Sequence, residues 1–102
     1  MKVLLENFKE KVIEGDAEKA LAAIDLVIGK ITTDAEMAAE ILQPVIITEL
    51  HQLLIDHLSV PPKAMKLTRR FPNNKTRALM FAKAMRNGIV VAIRQQANVT
   101  EE

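Results

Sequence analysis

The chain predicts an all-α fold: a single small helical bundle of four or five helices. Apolar residues recur at three- and four-residue spacing along most of its length. No stretch of four to eight residues alternates apolar with polar, as a half-buried strand would. Three glycines and four prolines punctuate the periodic segments. The 102 residues make one domain, and 49% apolar content supports a core. At this length about two-thirds of the unfolded chain's surface can be buried.

The first helix is predicted over about Lys2 to Glu14. Leu4, Leu5, Phe8 and Val12 fall at helical spacing, with Val3 at the edge of the same face, and Gly15 ends it. Asp16 caps the second helix, because its carboxylate accepts from the free backbone N–H groups of the next turn. That helix carries Ala20, Leu21, Ile24, Val27, Ile28 and Ile31, and Leu21, Ile24, Ile28 and Ile31, spaced 3, 4, 3, place one apolar stripe on the core. Thr33-Asp34-Ala35-Glu36 reads as a capping box, with Thr33 at the cap and Glu36 three residues on. A third helix then runs toward Leu58 on the stripe Ala38, Ile41, Leu42, Val45, Ile46, Leu50, Leu53, Leu54 and Leu58. Pro44 interrupts it and predicts a kink or a break. Ser59-Val60-Pro61-Pro62 is the clearest boundary. A short helix is expected from Pro62 to Phe71, a turn at Pro72-Asn73-Asn74, and a last segment from Lys75 to about Ala97. That segment is one helix, or two joined near Arg86-Asn87-Gly88, and residues 98–102 form a flexible tail.

Charge divides the chain at the same boundary. Residues 1–58 form an acidic helical half and residues 62–97 a basic one. Residues 1–56 hold eleven acids against five bases, a net −6, whereas residues 57–100 hold nine bases and no acid. Such asymmetry points to a polyanionic partner for the basic half.

Several function classes lose support. With no cysteine, disulfide, zinc-thiolate and thiol chemistry are excluded. With only Phe8, Phe71 and Phe81 as aromatics, base-stacking modules for single strands are disfavoured. The N-terminus turns polar at Glu6 and no run of eighteen apolar residues occurs, so a cytoplasmic protein without a membrane partner is expected. No P-loop, G-x-G-x-x-G or G-x-S-x-G is present, and no enzyme activity, cofactor or metal is expected. His51 and His57 lie six residues apart, not the three or four that place two ligands on one helical face. With Glu49 and Asp56 they could make only a loose cluster, and a helix-surface role is the plainer account. Glu36 and Glu40 share a face but lack a paired histidine.

The basic half carries the functional signal. On a wheel at about 100° per residue, Ala78, Phe81, Ala82, Met85, Ile89, Ala92 and Ile93 fall within roughly 120°, the width of a core-facing stripe. Lys75, Lys83, Arg86 and Arg94 fall within roughly the next 100°. The bases therefore share a face beside the core stripe, from which long side chains reach phosphates. Lys63, Lys66, Arg69 and Arg70 add four bases from the preceding segment, and Arg77 a fifth. Asn73, Asn74, Thr76 and Gln95 are candidates for phosphate or base-edge contacts. Two plainer readings stand beside this one: a solvated basic face, and an acidic half packed against the basic half.

Thr76-Arg77-Ala78, followed by Arg86, Ile89, Ile93 and Arg94, resembles the DNA-binding helix-turn-helix of Fis and NtrC-type activators over about twenty residues. Gln43-Pro44 and the apolar residues after it are similar to the helix preceding that motif. The resemblance places the turn between the two helices at Lys83. It implies that Thr76 and Arg77 touch the DNA backbone, while Asn87, Val90, Val91 and Arg94 face the groove.

The sequence thus points to a small nucleic-acid-binding or regulatory protein using Lys63, Lys66, Arg69, Arg70, Lys75, Arg77, Lys83, Arg86 and Arg94. The acidic half supplies most of the core and a candidate homodimer surface. The alternative is a helical adaptor, inhibitor or immunity-type protein that binds another protein, one with an acidic surface. Met80 and Val91 favour it, because the wheel leaves both off the core face.

Overall fold

The computed structural model describes residues 2–65 and 73–101. Five α-helices follow in chain order: α1 Lys2–Ile13, α2 Ala17–Ile31, α3 Ala35–Ile41, α4 Pro44–Leu58 and α5 Asn74–Glu101. A 3₁₀ turn, Pro62–Met65, lies between α4 and the described start of α5. No strand occurs among the described residues, so the architecture is the all-α bundle that the spacing predicts.

The ends of the helices follow from local chemistry. Gly15 takes a left-handed φ of +77°, which stops α1 and turns the chain into the next cap. Asp16 then accepts a hydrogen bond from the Lys19 N–H at 3.0 Å and starts α2. The cap of α3 is Asp34, one residue later than the capping box predicts. Its Oδ1 accepts from the N–H groups of Glu36 and Met37, while Thr33 turns back and donates its hydroxyl to the Lys30 carbonyl at the end of α2. A charged carboxylate is the stronger acceptor at a helix N-terminus, so it takes the cap from the hydroxyl beside it.

Pro44 makes a break. The α region is disfavoured for a residue before proline, so Gln43 is extended (φ −62°, ψ 132°) and α4 begins afresh with Pro44 in its first turn. The break resets the phase of the stripe. Ala38, Ile41, Leu50, Leu54 and Leu58 are buried as expected, but Val45 is 76% exposed. Val3, the other residue assigned to a stripe edge, is also exposed. Ser59 ends α4 in the left-handed region at φ 56°, and Val60 turns back into the core.

The helix predicted from Pro62 to Phe71 is described only to Met65, where it is a 3₁₀ turn. Its remainder lies outside the described residues. The last segment is one helix, uninterrupted through Gly88. Asn73 Oδ1 accepts from the Thr76 N–H at 2.8 Å and so caps it.

The core joins Leu5, Phe8 and Val12 of α1 to Ile24, Val27 and Ile31 of α2, Met37 and Ile41 of α3, Leu50 and Leu54 of α4, and Phe81, Met85 and Ile89 of α5. Of the α5 stripe read from the wheel, only Ile93 is partly exposed. The 28 residues of α5 measure about 42 Å at 1.5 Å per residue. The molecule extends 45 × 29 × 21 Å, so a helix of that length lies near its long axis. α5 is the spine, packed against α2, α3 and the 3₁₀ turn, while α1 packs on α2 and α4. Lys9 of α1 meets Glu49 of α4, and Gly15 lies by the His57 carbonyl, so α1 and α4 run side by side in the same direction. No helix of the described residues is long and apolar enough to cross a membrane.

Candidate nucleic-acid interface

The burial pattern of α5 fixes the orientation of its other faces. With Ala78, Phe81, Ala82, Met85 and Ile89 turned inward, Lys75, Lys83, Arg86 and Arg94 lie together along one flank. Lys75, Lys83 and Arg94 are exposed and Arg86 is partly exposed. Lys75 and Arg94 are nineteen positions apart, about 28 Å along the axis. Asn87 is exposed on the same flank, and Leu79 and Val90 sit partly buried between the bases.

Arg77 does not join this row. It is exposed, but its position on the wheel is about 120° from Lys83 and about 100° from Arg94, on another side of the helix. Lys63 is exposed on the 3₁₀ turn that packs against α5. Lys66, Arg69 and Arg70 lie outside the described residues. Of the polar candidates, Asn73 is occupied as a helix cap, while Asn74 and Gln95 are exposed and Thr76 is partly buried.

No carboxylate among the described residues pairs with Lys75, Arg77, Lys83 or Arg94. Arg86 is the exception. Its Nε donates to Asp25 Oδ1 of α2 at 2.6 Å, an ion pair between the acidic and basic halves. The expected packing of one half against the other is therefore present at one point on this flank. Lys75 and Arg77 also stand in the first turn of α5, which holds no acid. The helix dipole is positive there, so the two cations raise an already positive end.

His51 departs from the surface role expected of it. Its ring lies edge-on to Phe81 of α5, with centroids 5.5 Å apart, and its Nε2 is buried without a hydrogen-bond partner among the described residues. Burial pushes its pKa below the usual histidine value. His57 is exposed on the same helix, so the two imidazoles do not converge. Met80 and Val91 are both partly buried. Val3, Ile13, Leu26 and Val45 are the large exposed apolar residues described, and Val45 with Pro44, Thr48 and Glu49 lines a shallow open hollow at the start of α4.

Lys9 makes the shortest ion pair described in the acidic half, with Glu49. Burial lowers its pKa, but hydrogen bonding and charge attraction from Glu49, with help from Glu6, outweigh that and raise it overall. The Lys9–Glu49 pair ties α1 to α4.

Asp25 and His51 were not legible as site or contact residues, because partners 61 and 30 positions away carry no local signature. A wheel of α2 places Asp25 beside its inward stripe, the one sequence signal that bears on it. Comparison with protein-family models, with curated proteins and with solved structures gives no match for this chain.

Proposed function

We propose that this protein binds nucleic acid through the basic flank of α5, by neutralising phosphates, and that it acts as a small regulatory protein. The observation that carries this reading is a row about 28 Å long, Lys75, Lys83, Arg86 and Arg94, on one side of a continuous helix. Three of the four have no acidic partner among the described residues. Like charges in a row repel, so an all-basic flank carries a cost that a surface of mixed signs does not. The unbalanced first turn of α5 works the same way: Lys75 and Arg77 raise the positive potential of a helix end at some cost to the helix.

The reading requires no turn within the segment. The two helices of the Fis-like resemblance are here a single rod, so contact is made along the side of α5. Phe8 and Phe81 are buried, which leaves neither ring free to stack on a base and favours backbone contact.

The test is a fluorescence-anisotropy titration against labelled duplex DNA and a matched RNA at about 50 and 200 mM salt. Four phosphate contacts give a slope near −3.6 in log K against log salt, on the order of a hundredfold loss between those two conditions. Absence of binding at the lower salt removes the reading.

The alternative, a helical protein that binds another protein, draws on one observation: Val45 is 76% exposed in the hollow with Pro44. It predicts weak salt dependence and sensitivity to Val45→Asp rather than to the α5 bases.

A further inference from the structure

Asp25 and Arg86 come together from positions 61 residues apart, and the geometry of their contact is one-sided. Arg86 is held only through Nε–H, at 2.6 Å from Asp25 Oδ1. No hydrogen bond from either terminal guanidinium nitrogen occurs among the described residues. A guanidinium is planar and presents its donors in a fixed fork. Holding Nε therefore restrains the group and leaves the two terminal nitrogens without a partner among the described residues. Those two form the edge that meets a phosphate with two parallel hydrogen bonds. Both side chains are about half exposed, 43% for Arg86 and 50% for Asp25, so a phosphate has access to that edge.

An ion pair this exposed adds little to stability. The core around α2 and α5 is built from Ile24, Val27, Phe81, Met85 and Ile89 and does not require it. What the pair does is hold the one branched cation of the Lys75–Arg86 stretch of the flank in a single orientation.

We propose that Asp25 is a positioning residue of the basic flank: it orients Arg86 to receive a phosphate of the bound nucleic acid. The inference rests on the nucleic-acid reading of α5. It makes a prediction opposite in sign to simple electrostatics. Removing an acid beside a phosphate site should tighten binding if charge alone matters. A phosphate arriving at the terminal edge does not need to displace Asp25, whereas an untethered Arg86 must be ordered on binding, at an entropic cost.

The experiment is the anisotropy titration with labelled duplex DNA at about 50 mM salt. It compares wild type, Asp25→Ala, Asp25→Asn, Arg86→Ala, Arg86→Lys and the Asp25→Ala/Arg86→Ala pair, each checked for helicity by circular dichroism. Asp25→Ala is expected to bind roughly 3- to 10-fold more weakly despite its added positive charge, the size of one ordering cost. Asp25→Asn keeps an acceptor for Nε–H and restores binding to about the wild-type level. Arg86→Lys keeps the charge but loses the fork, and weakens by a similar factor. In the Arg86→Ala background, Asp25→Ala no longer weakens binding. Tighter or unchanged binding by Asp25→Ala overturns the inference, as does equal weakening with and without Arg86. Should Asp25→Ala lose its helicity, wild-type affinity in Arg86→Lys overturns it. A wild type that does not bind overturns the reading of α5 itself, so the two failures are distinguishable.

Discussion

His51 rests edge-on against Phe81 with its Nε2 buried and, among the described residues, unpaired, and a proton there would place a charge at the α4–α5 contact. Burial is the cause of its lowered pKa, with no neighbouring charge contributing. The sign of the pH dependence follows. Above the ordinary histidine pKa the ring is neutral folded and unfolded, and the contact is intact. As pH falls through about 6.5 the unfolded chain takes the proton first, so stability declines until the lower folded pKa is reached. Urea midpoints measured at about pH 7.5 and 5 should fall further in wild type than in His51→Leu. An equal fall in both would show that the ring does not titrate differently on folding. The cap of α3 is a second residue-scale test. Asp34→Ala should cost about 1 kcal/mol and Thr33→Ala clearly less, because the carboxylate holds both N–H groups. The sequence motif Thr-x-x-Glu pointed to Thr33. Two adjacent side chains competed for one helix end, and spacing alone does not say which acceptor is stronger.

Among the elements, helix ends were the most legible feature where a single residue dictates the backbone. Gly15 and Asp16 end α1 and start α2 as read, and Pro44 breaks the long stripe. Val45 shows why a stripe read across a break misleads: the phase restarts at Pro44, and the residue after it turns to solvent. Ser59 carries no sequence signature of its left-handed backbone. Two substitutions with opposite outcomes test these ends. Gly15→Ala should destabilise by about 1 kcal/mol from backbone strain alone, since a Cβ there meets nothing closer than the His57 carbonyl at 3.9 Å. Ser59→Gly relieves the same kind of strain and should stabilise by about 0.5 kcal/mol or more. Thermal melts of the two variants read both. On α5 the inward stripe was legible in full but for Ile93, because a long uninterrupted helix keeps its phase. Ile89→Ala should therefore cost about 2–5 kcal/mol, a large share of what a domain of this size has.

At the scale of the whole molecule, the sorting of charge along the chain becomes a sorting in space around α5. The acidic helices α1 to α4 supply most of the buried side chains, and the flank of α5 carries Lys75, Lys83 and Arg94, which have no acidic partner among the described residues. That arrangement was legible as a row of bases on a wheel. The contact of Asp25 with Arg86 was not, since the register of α2 against α5 is set by core packing rather than by either segment. The separation of Arg77 from Lys83 and Arg94 lets position be told from net charge. Lys83→Glu and Arg77→Glu change the charge of the protein equally, on different sides of one helix. The deciding measurement is the anisotropy titration of labelled duplex DNA with wild type and these two variants at about 50 mM salt. The account predicts that Lys83→Glu loses about tenfold or more in affinity while Arg77→Glu loses at most a few-fold. Equal losses in the two variants, or no binding by the wild type, would contradict it.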